Sequence, residues 1–390
     1  MDRPEHRVIA RPTTRAVFIR RRVVLAAVLV SLVLVVALAT SGGSVANKWR
    51  EAARSAARAS HNTRAPRGTW SAPSRFLAPG SDPSALPGPV LIADKANNRL
   101  VEVSPEGNVL WDFPRPGDLA PGQTFIVPDD AFFTPDGKQI VATQEDDFAV
   151  TLIDVATHHI LWRYGTPGTS GADPNHLWNP DDAIMMRDGH IVLADIKNCR
   201  LLWLTPGSHV PLQQLGHTHY CRHRPPTRFA SPNGAFPLPG GGYVVTEITH
   251  DWITALTPDG NVMWEAHAPG VGYPSDTNQI GPGRYLTVDV AYPGKIIEFD
   301  PGGRLLWEFR PTGHDTLARP TLAEPLPNGD ILATDDDNNR VIVVDPRTNR
   351  IVWQYGHTGS ADQAAGYLSD PDGADLAPPY SLINRIQSAG

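Results

Sequence analysis

The sequence predicts an all-β chain in which one four-stranded unit recurs six times, and three observations carry that prediction. Composition is the first: 34 glycines, 38 prolines and ten tryptophans among 390 residues suit many short strands joined by tight turns and exclude a helical bundle. The second is periodic tryptophan. Trp111 (VLWDF), Trp162 (ILWRYG), Trp264 (VMWEAH), Trp307 (LLWEFR) and Trp353 (IVWQYG) recur, Gln213 (LQQLG) takes the same place in a degenerate copy, and successive spacings are 51, 51, 51, 43 and 46. The third is what precedes each copy. An apolar stretch such as LVEV, VTLI, WITAL, KIIEF or VIVV runs into a turn such as SPEG, DVATHH, TPDG, DPGG or DPRTNR, which is a hairpin each time. A four-stranded repeat of about 40 to 50 residues is a β-propeller blade, and six copies give a six-bladed β-propeller.

In chain order, residues 1–22 form a basic segment with seven arginines, and an uncharged apolar run follows over residues 23–40, from Val23 to Thr40. As a helix this run would be roughly 27 Å long and would nearly cross a bilayer core. The arginines before it keep the N-terminus inside, so the run reads as one N-terminal transmembrane helix, a signal-anchor. The chain is then single-pass in the cytoplasmic membrane with its propeller on the extracellular side. Ala37-Leu38-Ala39 also has the small-x-small pattern of a cleavage site, and cleavage would make the protein secreted. Residues 41–86, rich in Ala, Arg, Ser and Pro, read as a flexible linker. Residues 1–68 hold 13 Lys/Arg against 3 Asp/Glu, whereas the remainder holds 21 against 38; the acidic folded part argues against nucleic acid as a partner.

The propeller is expected over residues 87–378, with a tail at 379–390. Within each unit a second strand runs to an acidic residue: Asp94, Glu145, Asp195, Glu247, Asp289 and Asp335. The innermost strand opens with proline at Pro128, Pro180, Pro232, Pro274, Pro320 and Pro371. Blade 1 has no such strand before Leu91, and the opening at Pro371 has no blade after it. The C-terminal strand is therefore expected to pair beside Leu91–Asp94 and close blade 1, removing the open sheet edges.

Chain direction in a four-stranded blade brings the loops after the second strands and the blade-to-blade connections to one face. Candidate ligand-binding residues there are Asp129, Asp130, Asp181, Asp182, Asn233, Glu247, Asp276, Asp289 and Tyr292, with Asp372 from the closing strand. Such an oxygen-rich rim suits a hard cation such as Ca²⁺, or a cationic or polyhydroxylated ligand. The same Asp and Asn residues also suit turn capping by side-chain hydrogen bonds to backbone, a role their repetition favours. Departures from the repeat single out His176, His250 and His314 as candidate catalytic groups, since histidine serves as base, nucleophile or metal ligand. Arg99, Arg200 and Arg340, after Asn-rich turns, are expected to bridge to a neighbouring blade's carboxylate. No nucleophile elbow, P-loop, HExxH or EF-hand loop is present.

Cys199 and Cys221 are the two cysteines. In an exported chain they are expected to form a disulfide across a loop of about 23 residues. A metal site made of Cys199, Cys221, His217, His219 and His223 is the alternative.

The motifs ADKANNRL (93–100), ADIKNCRL (194–201) and TDDDNNRV (334–341) resemble the NHL repeat. DVATHHILW (154–162) and DPRTNRIVW (345–353) resemble the tryptophan-docking repeat of PQQ-like and arylsulfotransferase-type propellers. The whole is similar to membrane-anchored PQQ-like/NHL-repeat β-propeller proteins. The resemblance implies blade tryptophans that pack between sheets, and it admits PQQ as a cofactor; activity does not follow from it, since these families include binding scaffolds, lyases, sulfotransferases and quinoproteins. The expected function is an extracytoplasmic, membrane-anchored module that binds a protein or small-molecule ligand on the propeller face. The alternative is an enzyme with an axial active site of arylsulfotransferase-like, lactonase/lyase-like or PQQ-dependent type.

Overall fold

The computed structural model describes residues 74–387. The expected span at 23–40 lies outside them; among the described residues no helix is long and apolar enough to cross a membrane.

Six antiparallel four-stranded sheets follow one another, each with its strands in order from the inside outwards. Blades 2 to 5 are continuous in sequence, beginning with inner strands Pro128–Phe133, Pro180–Met185, Pro232–Pro237 and Pro274–Gly281. Blade 6 departs from the expected opening, because its short inner strand is Ala323–Pro325 and starts three residues after Pro320. Blade 1 is composite. The C-terminal strand Pro371–Leu376 pairs antiparallel with Val90–Asp94, placing Pro371 opposite Asp94 and Leu376 opposite Val90. Inner strands abut from the closing strand of blade 1 through blades 2 to 6, and blade 6 meets the closing strand through its second strand, Ile331–Asp335.

Blades are joined by their tryptophans. The indole of Trp111 donates to Val155 O of blade 2 at 3.0 Å, Trp162 to Ser208 O of blade 3 at 3.2 Å, Trp307 to Pro346 O of blade 6 at 3.2 Å and Trp353 to Pro105 O of blade 1 at 2.8 Å. Trp264 of blade 4 donates to Tyr285 of blade 5. Blade 3 carries Gln213 at this position, and Trp203 on its third strand reaches Tyr243 of blade 4 instead. Each ring thus buries apolar area between sheets while its one donor is satisfied, the arrangement an indole requires. The glycines of the WRYG and WQYG motifs are required by close approach. A Cβ on Gly165 would stand 2.2 Å from Phe148 O, and one on Gly356 2.3 Å from Asn339 O.

Residues 74–86, assigned to the linker by composition, run along the periphery. Ala78 N donates to Gln354 O and Asp82 N to Val352 O, both on the outer strand of blade 6. Leu77 is buried there beside Tyr355. At the other end, the short helix Leu382–Gln387 buries Leu382, Ile383 and Ile386 in the same apolar cluster as Phe132, Ile184, Phe236 and Leu322 of the inner strands. Phe132 and Phe236, from blades 2 and 4, meet edge to face at 6.0 Å. The lower part of the ring is therefore filled with hydrocarbon. Arg385 fastens the helix by pairing with the buried Glu324 of blade 6.

Candidate functional site

The second-strand carboxylates divide into two groups once their partners are traced. Blades 1, 3 and 6 repeat one constellation. Asp94 accepts Arg99 Nε at 2.6 Å, Asn97 Nδ2 at 2.8 Å and the backbone N–H of Ser369 at 2.7 Å. Asp195 accepts Arg200 Nε at 2.7 Å, Asn198 Nδ2 at 2.8 Å and Trp178 N at 2.8 Å. Asp335 accepts Arg340 Nε at 2.7 Å, Asn338 Nδ2 at 2.8 Å and Ala318 N at 2.7 Å. Each guanidinium continues to carbonyls of the connection entering its blade, such as His176 O for Arg200 and Asp315 O for Arg340. The arginines therefore bind their own blade's aspartate and not a neighbouring blade's carboxylate: the αL residue at Asn98, Cys199 or Asn339 turns the chain back so that the guanidinium lies beside the strand it has just left.

Glu247 and Asp289 fill the same structural position in blades 4 and 5. Glu247 is fully buried and accepts Ala230 N, His223 Nδ1 at 2.9 Å and Thr254 Oγ1 at 3.3 Å. Asp289 accepts Gly272 N at 3.0 Å and Tyr273 N at 3.1 Å. The structure engages both in holding blade connections. Tyr292, 76% exposed, stands out in solvent.

The remaining candidates converge on the axis. Inner strands of blades 1 to 5 carry a register shift near their start, and such a bulge lets consecutive residues aim at the same side. Asp129, Asp181, Asn233, Ser275, Thr321 and Asp372 hold the position after the proline; Asp130, Asp182, Gly234, Asp276, Leu322 and Gly373 hold the next. Ligand atoms of Asp129, Asp130 and Asp181 lie within 4.8 Å of one another, as do those of Asp130, Asp182 and Asp276. Asn233 donates to Ser275 Oγ at 2.9 Å.

Three more residues join from the position just after the second strand. Lys95, Glu145 and Asp336 are charged there, where blades 3, 4 and 5 have Ile196, Ile248 and Val290. Lys95 Nζ donates to Asp372 Oδ2 at 2.6 Å, to Glu145 Oε2 at 3.1 Å and to Asp129. Asp336 accepts Thr321 Oγ1 at 2.9 Å. Lys95 and Asp336 were not singled out from the sequence, and Glu145 was placed one residue out of register: in blade 2, Gln144 ends the second strand opposite Pro128. The signal was present as charge at a position that is aliphatic in half the blades.

Electrostatics follow from burial over an apolar floor. Burial pushes the carboxyls of Asp129, Asp130, Asp181 and Asp182 well above the usual range, and neighbouring carboxylates push them further; Asp276 and Asp336 shift the same way. Asp372 is the exception. Burial would raise it, but Lys95 beside it holds it below the ordinary value. Burial works against the Lys95 ammonium, and Asp372, Asp129 and Glu145 more than offset it, so the lysine stays charged. Tyr273, placed near Asp181, Glu145 and Asp372, has its hydroxyl raised to about 12, chiefly by burial. Charge of one sign dominates, and this group of carboxyls, eight counting Glu145 and Asp336, favours cations.

The histidine candidates do not assemble. His176 contacts Pro174 O at 3.3 Å, His250 is exposed and His314, with its side chain 80% exposed, lies 3.5 Å from Asp315; among the described residues none joins a cluster with the axial carboxyls. Cys199 and Cys221 are joined in a disulfide with Cα atoms 5.2 Å apart. The alternative thiol–histidine metal site is thereby removed: both thiols are in the disulfide, His217 meets Tyr220 edge to face, His219 binds Asn198 and His223 binds Glu247. PQQ, a polycarboxylate, does not fit this face: Lys95, the cation in contact with the axial carboxyls, is already hydrogen-bonded to three of them.

Comparison with known proteins agrees with the architecture. Residues 229–372, which run from the start of blade 4 to the closing strand, match the family described as outer membrane protein assembly factor BamB, and the tryptophan contacts repeat round the whole ring. The chain is a six-bladed propeller whose residues 229–372 are similar to PQQ-like repeats. A solved structure of a Bacteroides caccae protein of unknown function superposes on this propeller with a TM-score of 0.53 at 14% identity, covering 74% of this chain and 98% of that one. Two further similar structures are a nidogen/laminin complex (TM-score 0.49, 15% identity, 74% and 98% coverage) and virginiamycin B lyase from Staphylococcus aureus with quinupristin (TM-score 0.47, 16% identity, 71% and 86%). At 14% identity the likeness to the Bacteroides caccae protein is one of fold. No curated protein matches.

Proposed function

We propose that this propeller is an exported, membrane-anchored binding module that takes up a positively charged ligand, an ammonium- or guanidinium-bearing segment, over its axial carboxylates. The observation that carries the reading is Lys95: three carboxylates of the ring already converge on an ammonium supplied by the chain itself. Asp181 lies in the same group, is more exposed than Asp182, and has no such cation on it. Tyr273 is 38% and Trp178 41% exposed on this face and offers aromatic surface to a cation. Export and anchoring are supported by the arginine-flanked apolar run at 23–40 and by the Cys199–Cys221 disulfide, a bond that persists in oxidising compartments.

Titration of the full chain with tetralysine, followed by calorimetry, tests the reading. Saturable binding that weakens steeply between about 20 and 500 mM salt, is absent for tetraglutamate and is reduced severalfold by Asp181→Asn is expected. Binding of neither peptide, or tetralysine binding indifferent to Asp181→Asn, overturns it.

A further inference from the structure

The geometry points to a calcium site at the centre of the ring: Asp130, Asp182 and Asp276, from the inner strands of blades 2, 3 and 5, ligate one divalent cation through their carboxylate oxygens. This goes beyond uptake of a cationic segment at the rim and does not depend on it.

Four observations meet at this point. Ligand oxygens of the three side chains lie within 4.8 Å of one another. Calcium binds oxygen at about 2.3–2.6 Å, so opposed ligands stand about 4.6–5.2 Å apart, and a triad of this size encloses the ion with little movement. Second, Asp182 is 1% exposed, and neither of its oxygens receives an N–H or O–H from the rest of the protein; Asp130 Oδ1 is equally without a donor. Their polar neighbours are other carboxyls, Asp276 for Asp182 and Asp181 for Asp130. Buried carboxyl oxygens that face one another hold either a shared proton or a cation. Third, Lys95 neutralises a different part of the ring, since its hydrogen bonds go to Asp129, Glu145 and Asp372.

The fourth observation is in two of the three inner strands that carry no ligand, the third having Leu322. Where blades 2, 3 and 5 carry aspartate, blades 4 and 1 carry Gly234 and Gly373. A Cβ on Gly234 would lie 2.7 Å from Asp182 Oδ2 and 3.5 Å from Asp276 Oδ1; one on Gly373 would lie 2.3 Å from Asp130 Oδ1. Neither glycine has its φ in the left-handed region; at Gly234 what excludes a side chain is the Asp182 carboxylate, and at Gly373 it is Asp130, whose carboxylate and backbone Cα both stand in the way. The strands have made room for oxygen ligands at this level. An all-oxygen, all-carboxylate donor set selects a hard cation over zinc or copper, and millimolar calcium outside the cell suits the modest affinity of extracellular sites.

The test uses the full chain, stripped with a chelator and re-equilibrated with calcium chloride. Expected are one calcium per chain by equilibrium dialysis with elemental analysis, a higher unfolding temperature in calcium than in chelator, and at least tenfold weaker uptake in both Asp182→Asn and Asp276→Asn. In chelator the two variants are expected to unfold at or above the wild-type temperature, because each removes one of three facing carboxyls. No calcium bound to wild type at millimolar concentration, or uptake unchanged by both substitutions, overturns the site and leaves proton sharing as the explanation of the cluster. Wild-type uptake is decisive on the negative side, and either variant stands in for the other should one fail to fold. A negative tetralysine result leaves this measurement intact, and a negative calcium result leaves that one intact.

Discussion

Lys95 Nζ lies 2.6 Å from Asp372 Oδ2, an ion pair between the turn after the second strand of blade 1 and the inner strand that completes the same blade from the far end of the sequence. The pair does two things at once. It fastens the closing strand, and it neutralises part of the axial cluster.

Replacing the lysine by an apolar residue of similar length tests both roles. Lys95→Met is expected to cost about 3 kcal/mol at neutral pH, because it leaves carboxylates buried without their counter-ion. The sign with pH is fixed. The folded-state shift of Lys95 is upward, so its contribution is complete below its unfolded value and lost only at strongly alkaline pH; that of Asp372 is downward, so its contribution is present above the ordinary aspartate range and lost in acid. The deficit of the variant should therefore shrink as pH falls below about 4, and urea unfolding at about pH 3 and pH 7 reads it.

Glu324 gives a second pH dependence at the opposite end of the ring. Burial lifts its carboxyl to about 8 despite the Arg385 guanidinium. A raised value means stability that is complete below the unfolded pKa and is lost as pH rises through about 8. The wild-type unfolding temperature should fall between pH 6 and pH 9, and Glu324→Gln should flatten that fall; equal slopes for the two proteins would count against the assignment.

The repeated aspartate–arginine pairs should differ in weight according to their burial. Arg340 and Asp335 have side chains that are 0% exposed, whereas Arg99 is 24% exposed on its side chain. Arg340→Met is expected to lower stability by about 3–5 kcal/mol, and Arg99→Met by clearly less, since water can still reach Asp94 from the side the guanidinium vacates. Denaturant midpoints of the two variants provide the comparison.

Reduction of Cys199–Cys221, 22 residues apart in sequence, should remove about 3 kcal/mol by freeing the unfolded chain. Blade 3 is the blade whose outer strand lacks the docking tryptophan, and its long connection is the one that the disulfide shortens. Unfolding with and without dithiothreitol measures the effect.

The blades, their number and the C-terminal closure were legible because each rests on short-range chemistry repeated many times: tryptophan after a hairpin, proline at the inner strand, asparagine at the αL turn. The axial site was legible in its aspartates and not in its assembly. Asp94 and Lys95 are adjacent in sequence, yet one holds a backbone connection and the other faces the axis, a difference set by the strand's alternation and invisible until its last residue is known. The same one-residue ambiguity hid Glu145. Glu247 and Asp289 look no different in sequence from axial carboxylates, and only the backbone N–H groups they meet tell them apart. The histidines stood out as departures from the repeat, but departures in surface loops carry no information about convergence in space.

The strand Pro371–Leu376 follows every other strand of the ring in sequence and belongs at its very centre. A chain made from the N-terminus onwards therefore completes five blades while the first still shows the naked flank of Val90–Asp94, and the axial carboxylates have no Asp372 to share Lys95 with. The molecule cannot mature in the order in which it is synthesised. Only its last strand covers that flank and brings Asp372 to Lys95, so sealing the ring and completing the site are one event.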